Sequence, residues 1–151
     1  MDTLKKITWN RTGLILFSTL LVGLPALSFA EDCPQIRKTP TAPKEFLKMQ
    51  NPLLLNDKNL KSAEKIFQEK AKPLACKLCH GVTGNGESDP DFESTPSARN
   101  FTCAATMDKL SDGQLFWVIR NGAKNTAMFA FSDLSDNQIW QLVHYIRAFG
   151  K

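Results

Sequence analysis

The sequence predicts an all-α fold of three main helices joined by long connections, and three observations predict it. Two Ser-x-x-Gln capping boxes, Ser111 with Gln114 and Ser135 with Gln138, each open an apolar stretch at helical spacing. No segment alternates apolar and polar residues at the period of two that a half-buried strand requires. Pro and Gly fall in clusters between the helical stretches rather than inside them.

The first thirty residues read as a secretory leader. Lys5, Lys6 and Arg11 make a basic start, Leu14 to Leu24 is almost unbrokenly apolar, and Ser28-Phe29-Ala30 is a small-x-small cleavage site. The mature chain is expected to start at Glu31, in the periplasm. The competing expectation is an uncleaved membrane anchor, which Pro25 and the good cleavage site disfavour. Removing the leader takes with it three of the 19 basic and one of the 15 acidic residues, leaving only a small positive surplus. No basic stripe interleaved with aromatics occurs in the mature part, so nucleic-acid binding is excluded. One domain with a modest core is what 151 residues less a leader allow, so a multidomain enzyme is excluded too.

Residues 31–57 hold Pro34, Pro40, Pro43 and Pro52 without periodicity and predict an extended arm laid over a core; residues 58–151 form the domain proper. The first helix is predicted over Lys58 to Lys72, with Leu60, Ala63, Ile66, Phe67 and Ala71 on one face and Pro73 ending it. Residues 81–103 carry Gly81, Gly84, Gly86, Pro90 and Pro96, a long structured loop. Leu110 with Leu115 staples the second main helix, which ends at Gly122; Leu134 with Ile139 staples the third, which ends at Gly150. On this last helix Ile139, Leu142, Val143, Ile146 and Phe149 face inward and leave Asp136, Gln141 and Arg147 outside.

The chemistry lies in Cys76-Lys77-Leu78-Cys79-His80, a C-x-x-C-H pentapeptide, the signature of covalent haem c attachment. Two thiols three residues apart can each add across one vinyl group of a porphyrin, and the adjacent imidazole is then held beneath the iron. A thioredoxin-like dithiol would need a strand before the pair, and a zinc site would need more ligands than the scattered Cys33, Cys103 and His144. For a second axial ligand the chain offers Met49, Met107, Met128 and His144. Met128 is the best candidate: it lies 48 residues beyond His80, in the loop before the last helix, among Ala127, Phe129 and Phe131, which can keep water from the iron. Met107 sits too close to the second helix, and His144, one position off the inward stripe, reads as a surface residue.

From about Lys58 to the C-terminus these parts follow the order of the class I c-type cytochromes, which the sequence resembles: Ala63 to Phe67, Cys76 to Gly81, Gly84 to Gly86, Pro90, the helix ending Ile119-Arg120-Asn121-Gly122, the Met128 loop, and Ile139 to Arg147. The resemblance implies a cytochrome c-like fold wrapped around one covalently bound haem, with the first and last helices crossing beside it and Phe67 meeting Trp140 or Tyr145. It also implies that the carbonyl of Pro90 accepts the His80 Nδ1 proton and that Arg99 or Asn100 lies near a propionate. Ala63 and Phe129 depart from the pattern, standing where the family often has Gly and Pro. Cys33 and Cys103 remain, either as a disulfide pinning the arm to the haem loop or as two unrelated thiols.

The expected function is single-electron transfer between transient redox partners through a His/Met-ligated haem, with no open iron position for a substrate. Two alternatives stand beside it: a haem subunit of a larger oxidoreductase, with the arm as a docking strap, and a haem enzyme whose sixth position is open.

Overall fold

The computed structural model describes residues 33–35 and 39–151, so the expected leader and its cleavage site lie outside the described residues. The described residues contain helices and no strand: α1 (Lys44–Leu47), α2 (Asp57–Lys65), a wide π-type turn (Ile66–Lys70), α3 (Lys77–His80), a 3-10 turn (Pro90–Phe92), α4 (Ala104–Met107), α5 (Asp112–Asn121) and α6 (Asp136–Ala148). The expected main helices are α2 with its π turn, α5 and α6. No helix among the described residues is long and apolar enough to cross a membrane.

The single helix expected over Lys58 to Lys72 instead starts one residue earlier and changes form. Asn56 caps it, accepting a bond from the Asn59 N–H at 2.9 Å. The α-helix gives way to the π turn at Ile66, closed by Ala71 N–H to the Ile66 carbonyl at 3.0 Å. The reason lies in the spacing of the buried residues Ala63, Phe67 and Ala71. Positions four apart drift by about 40° per step on an α-helix of 3.6 residues per turn. A wider turn cancels that drift and keeps all three inside.

Of the two capping boxes, only the second is complete. Ser135 accepts from the Gln138 N–H and Gln138 Oε1 accepts from the Ser135 N–H at 2.9 Å. Ser111 caps Gln114 N–H at 3.1 Å, but the Gln114 side chain turns away to the arm. There its Oε1 accepts from Ala42 N–H at 2.9 Å and its Nε2 donates to the Pro40 carbonyl at 3.0 Å. Two backbone groups beside a buried Ala42 would otherwise go unpaired, and satisfying them outweighs a second cap bond.

α2 lies against α6, with Phe67, Ile139, Leu142 and Val143 fully buried between the main elements. Phe67 meets Tyr145 at 5.4 Å and Phe149 at 5.3 Å between ring centroids. Trp140 instead stacks on Phe116 of α5 at 4.3 Å. Ala63 is fully buried in the same core. Arg147, expected outside, is half-buried: it donates to Asp112 Oδ1 at 3.0 Å and to the carbonyls of Met107 and Leu110.

The arm is more ordered than its prolines suggest. α1 packs Phe46 over Phe116, and a Cβ on Gly113 would overlap the Phe46 carbonyl oxygen at 1.7 Å, so only glycine admits this contact. Asn51 Nδ2 donates to the Trp140 carbonyl at 2.8 Å. His144, expected at the surface, is half-buried with Nε2 2.8 Å from the Leu53 carbonyl, so it ties the arm to α6. Cys33 and Cys103 are joined by a disulfide across 70 residues of sequence, Cα to Cα 5.7 Å. Closing so long a loop constrains the unfolded chain, so replacing both cysteines by serine should cost about 2–4 kcal/mol. Denaturant midpoints of the two proteins check this; equal midpoints would mean that the bridge contributes nothing.

Candidate haem site

α3 is a single helical turn, and a turn is what the pentapeptide needs. Cys76 precedes it, its carbonyl accepting from Cys79 N–H at 3.3 Å and His80 N–H at 2.9 Å, so residues three apart share one face. Gly81, at φ 78°, ends the turn. The following loop folds back onto it: Gly86 N–H donates to the His80 carbonyl at 2.9 Å, Asp89 N–H to Leu78 at 2.8 Å and Ser88 Oγ to Cys79 at 2.9 Å.

His80 is buried and stacked on Phe101, ring centroids 4.4 Å apart. Its Nδ1 lies 3.0 Å from the carbonyl oxygen of Arg99. A carbonyl can only accept, so Nδ1 carries a proton, and the neutral imidazole in that tautomer ligates a metal through Nε2. The acceptor is therefore Arg99 and not Pro90. Because Asp89 is bonded to the α3 backbone, exposed Pro90 is carried away from the imidazole ring and does not line the cavity. The chain reaches the ring only nine residues later, at Arg99.

One cavity of about 420 Å³ takes in Cys76, Cys79, His80 and Met128. That volume lies in the range of cofactor and ligand sites. Its walls are mostly apolar: Phe67 and Phe101 beside α3, Leu115, Val118 and Ile119 from α5, Leu142 and Ile146 from α6. Met49, Met107 and His144 do not line it, which leaves Met128 as the one sequence candidate for a second axial ligand that does. Gly122 makes this possible. At φ 74° it ends α5, and a Cβ there would meet the Met128 carbonyl at 2.7 Å and the Ala130 nitrogen at 2.8 Å, so only glycine lets the loop return so close. Ala123 N–H then donates to Met128 at 3.1 Å and Phe131 N–H to Ile119 at 3.0 Å, seating the loop at the cavity.

Arg99 also lines the cavity, its guanidinium donating to Thr39 Oγ1 at 2.5 Å and Gln35 Oε1 at 3.3 Å. Asn100 is buried but does not line the cavity; its Oδ1 accepts from Thr102. Sequence reasoning missed Thr39, Pro40 and Gln114, which bring the arm into the wall. No local signal marks them, because long-range pairing alone places them there.

Desolvation pushes the Cys76 thiol up to about 12 and raises Cys79 as well. Neutral thiols are the wrong form for a redox dithiol, which needs a lowered pKa. Nor do three or more His, Cys, Asp or Glu side chains converge as a metal cluster among the described residues. Haem c fits this donor set: two thiols and one neutral imidazole on a single turn, a thioether in the same cavity, and apolar walls for a porphyrin.

Residues 58–146 match the family described as cytochrome c oxidase, cbb3-type, subunit III. Among solved structures, a chain of the Kuenenia stuttgartiensis reducing HAO-like protein complex Kustc0457/Kustc0458 is similar, with 26% identity and a TM-score of 0.54 over 68% of this chain. This chain spans 50% of that one. Comparison with curated proteins found no match. With the haem-attachment turn and the helical fold both present, the chain belongs to this family of c-type cytochrome domains, which bind haem covalently and transfer electrons through it.

Proposed function

We propose that the protein is an exported monohaem electron carrier in which Cys76 and Cys79 hold one haem c through thioethers and His80 and Met128 are the axial ligands. The observation that carries this reading is that both thiols, the imidazole and the Met128 thioether line one cavity.

When bound, the haem supplies an iron that cycles between ferrous and ferric. The chain's own residues set the conditions for that cycle. His80 presents Nε2 because its Nδ1–H is held by the Arg99 carbonyl. Met128, which lines the same cavity, would supply the second protein ligand to the iron and would leave no position for a substrate. Phe101, Leu115, Ile119 and Phe131 exclude water, and both a neutral thioether and a dry pocket disfavour the extra positive charge of the ferric state. The Arg99 guanidinium in the wall suits a propionate. Phe129 lines the cavity yet is 49% exposed, an apolar rim suited to brief contact with redox partners.

A second reading, a fixed haem subunit of a larger oxidoreductase, is favoured by three observations. The matching family is described as an oxidase subunit and the similar solved chain belongs to a complex. On the arm, Leu54 and Leu55 are 81% and 55% exposed, as a docked segment would have them before assembly.

Expression in a host competent in cytochrome maturation tests the first reading. The expected product has the mass of the chain from Glu31 plus one haem, and in its oxidised form a weak near-infrared band from sulfur-to-iron charge transfer. A colourless product with the bare polypeptide mass would overturn it. Size-exclusion of native membranes and soluble fractions separates a free carrier from a subunit.

A further inference from the structure

We infer that Gln35, on the disulfide-anchored arm, is a positioning residue for His80: it fixes the Arg99 peptide whose carbonyl receives the imidazole proton. The inference rests on His80 being the proximal ligand.

The Gln35 side chain brackets Arg99 along the chain. Its Nε2 donates to the Ala98 carbonyl at 3.2 Å, and its Oε1 accepts from Asn100 N–H at 2.9 Å and from the Arg99 guanidinium at 3.3 Å. Between those two backbone contacts lies the carbonyl that stands 3.0 Å from His80 Nδ1. Two residues before Gln35, Cys33 is bonded to Cys103, three residues past Asn100, so the arm is covalently tied next to the segment it clamps. Residues 93–103 contain no helix, and the nearest backbone anchor is the Phe101 N–H bond to the Gly84 carbonyl at 2.7 Å, so the side chain of Gln35 holds the peptide groups just before it.

A carbonyl held against Nδ1–H raises the basicity of the imidazole and stabilises the ferric iron; one left to wander bonds more weakly. Loosening the clamp should therefore favour the ferrous state. An ordinary surface bond would contribute only to stability, on the order of 1 kcal/mol.

The test measures the midpoint potential of the haem-loaded protein in its unaltered form and in four variants. Gln35→Ala should raise the ferrous share at a given potential at least threefold, a shift of about 28 mV at about 59 mV per tenfold for one electron. The double variant Cys33→Ser/Cys103→Ser should shift it in the same direction, and adding Gln35→Ala to that variant should shift it by less than Gln35→Ala does alone, since both loosen one clamp. Asn51→Ala, which removes the arm's 2.8 Å bond to Trp140, should lower stability and leave the potential where it was. Independently of the haem iron, hydrogen exchange at the Asn100 amide should quicken at least tenfold in Gln35→Ala. An unchanged or lowered potential in a coloured Gln35→Ala protein would overturn the inference, as would an equal shift in Asn51→Ala. Absence of haem from the unaltered protein would instead strike the reading of the site, and shows before any variant is made.

Discussion

Cys76→Ser combined with Cys79→Ser should yield a polypeptide without covalent haem that also fails to hold its fold. The first half follows from chemistry: a serine hydroxyl does not add to a vinyl group as a thiol does, so denaturing mass spectrometry should show the bare chain. The second follows from packing. The haem site is a cavity of about 420 Å³ whose walls are supplied by α5, α6 and the loops on either side. At about 24 cal/mol per Å³, leaving it as a void would cost about 10 kcal/mol. That is comparable with the whole stability of a small domain, roughly 5–15 kcal/mol. Thermal melting followed by far-ultraviolet circular dichroism should show a broad transition, or none. A sharp cooperative melt of the serine variant at the temperature of the haem-loaded protein would contradict this, and would mean that the helices pack without their cofactor.

Met128→Ala should leave the haem attached and change what the iron can do. The near-infrared charge-transfer band should vanish, because its sulfur is gone. Water or an added ligand such as carbon monoxide should then bind where the thioether had been. Losing a neutral sulfur ligand stabilises the ferric state, so the ferrous share at a given potential should fall more than tenfold, over about 59 mV for one electron. The fold should change little, since Met128 is only half-buried and the loop is held by its backbone bonds to Ala123 and Ile119. Retention of the band in Met128→Ala would mean that another sulfur ligates the iron and would transfer the ligand role to Met49 or Met107.

The two predictions draw on different parts of the sequence, and these were legible to different degrees. Cys76, Cys79 and His80 stand within five residues, so their meeting depends on a single helical turn and could be read without any fold. Met128 required a fold: its place at the cavity depends on Gly122 ending α5 with a conformation that lets the loop come back within contact of the helix end. Sequence reasoning reached it because only four candidates existed. Pro90 shows the limit. A family pattern suggested its carbonyl for His80, but the interval between the histidine and its acceptor is loop, and loop length is where relatives of one fold differ. Gln114 shows another. Its capping-box role was inferred from its neighbours three residues away, whereas the arm, more than seventy residues upstream, claimed its side chain instead.

By itself the sequence determined the helical class, the two strong helix starts at Ser111 and Ser135, and the C-x-x-C-H turn that marks a haem c domain, because each of these rests on contacts within a few residues. Only the tertiary structure decided which carbonyl holds His80, how Arg99 is braced, and that the proline-rich arm forms part of the haem wall. Those contacts join segments sixty or more residues apart, or lie across an irregular loop. Their geometry follows from burying unpaired backbone groups and closing a cavity, and no local pattern of residue types carries that information.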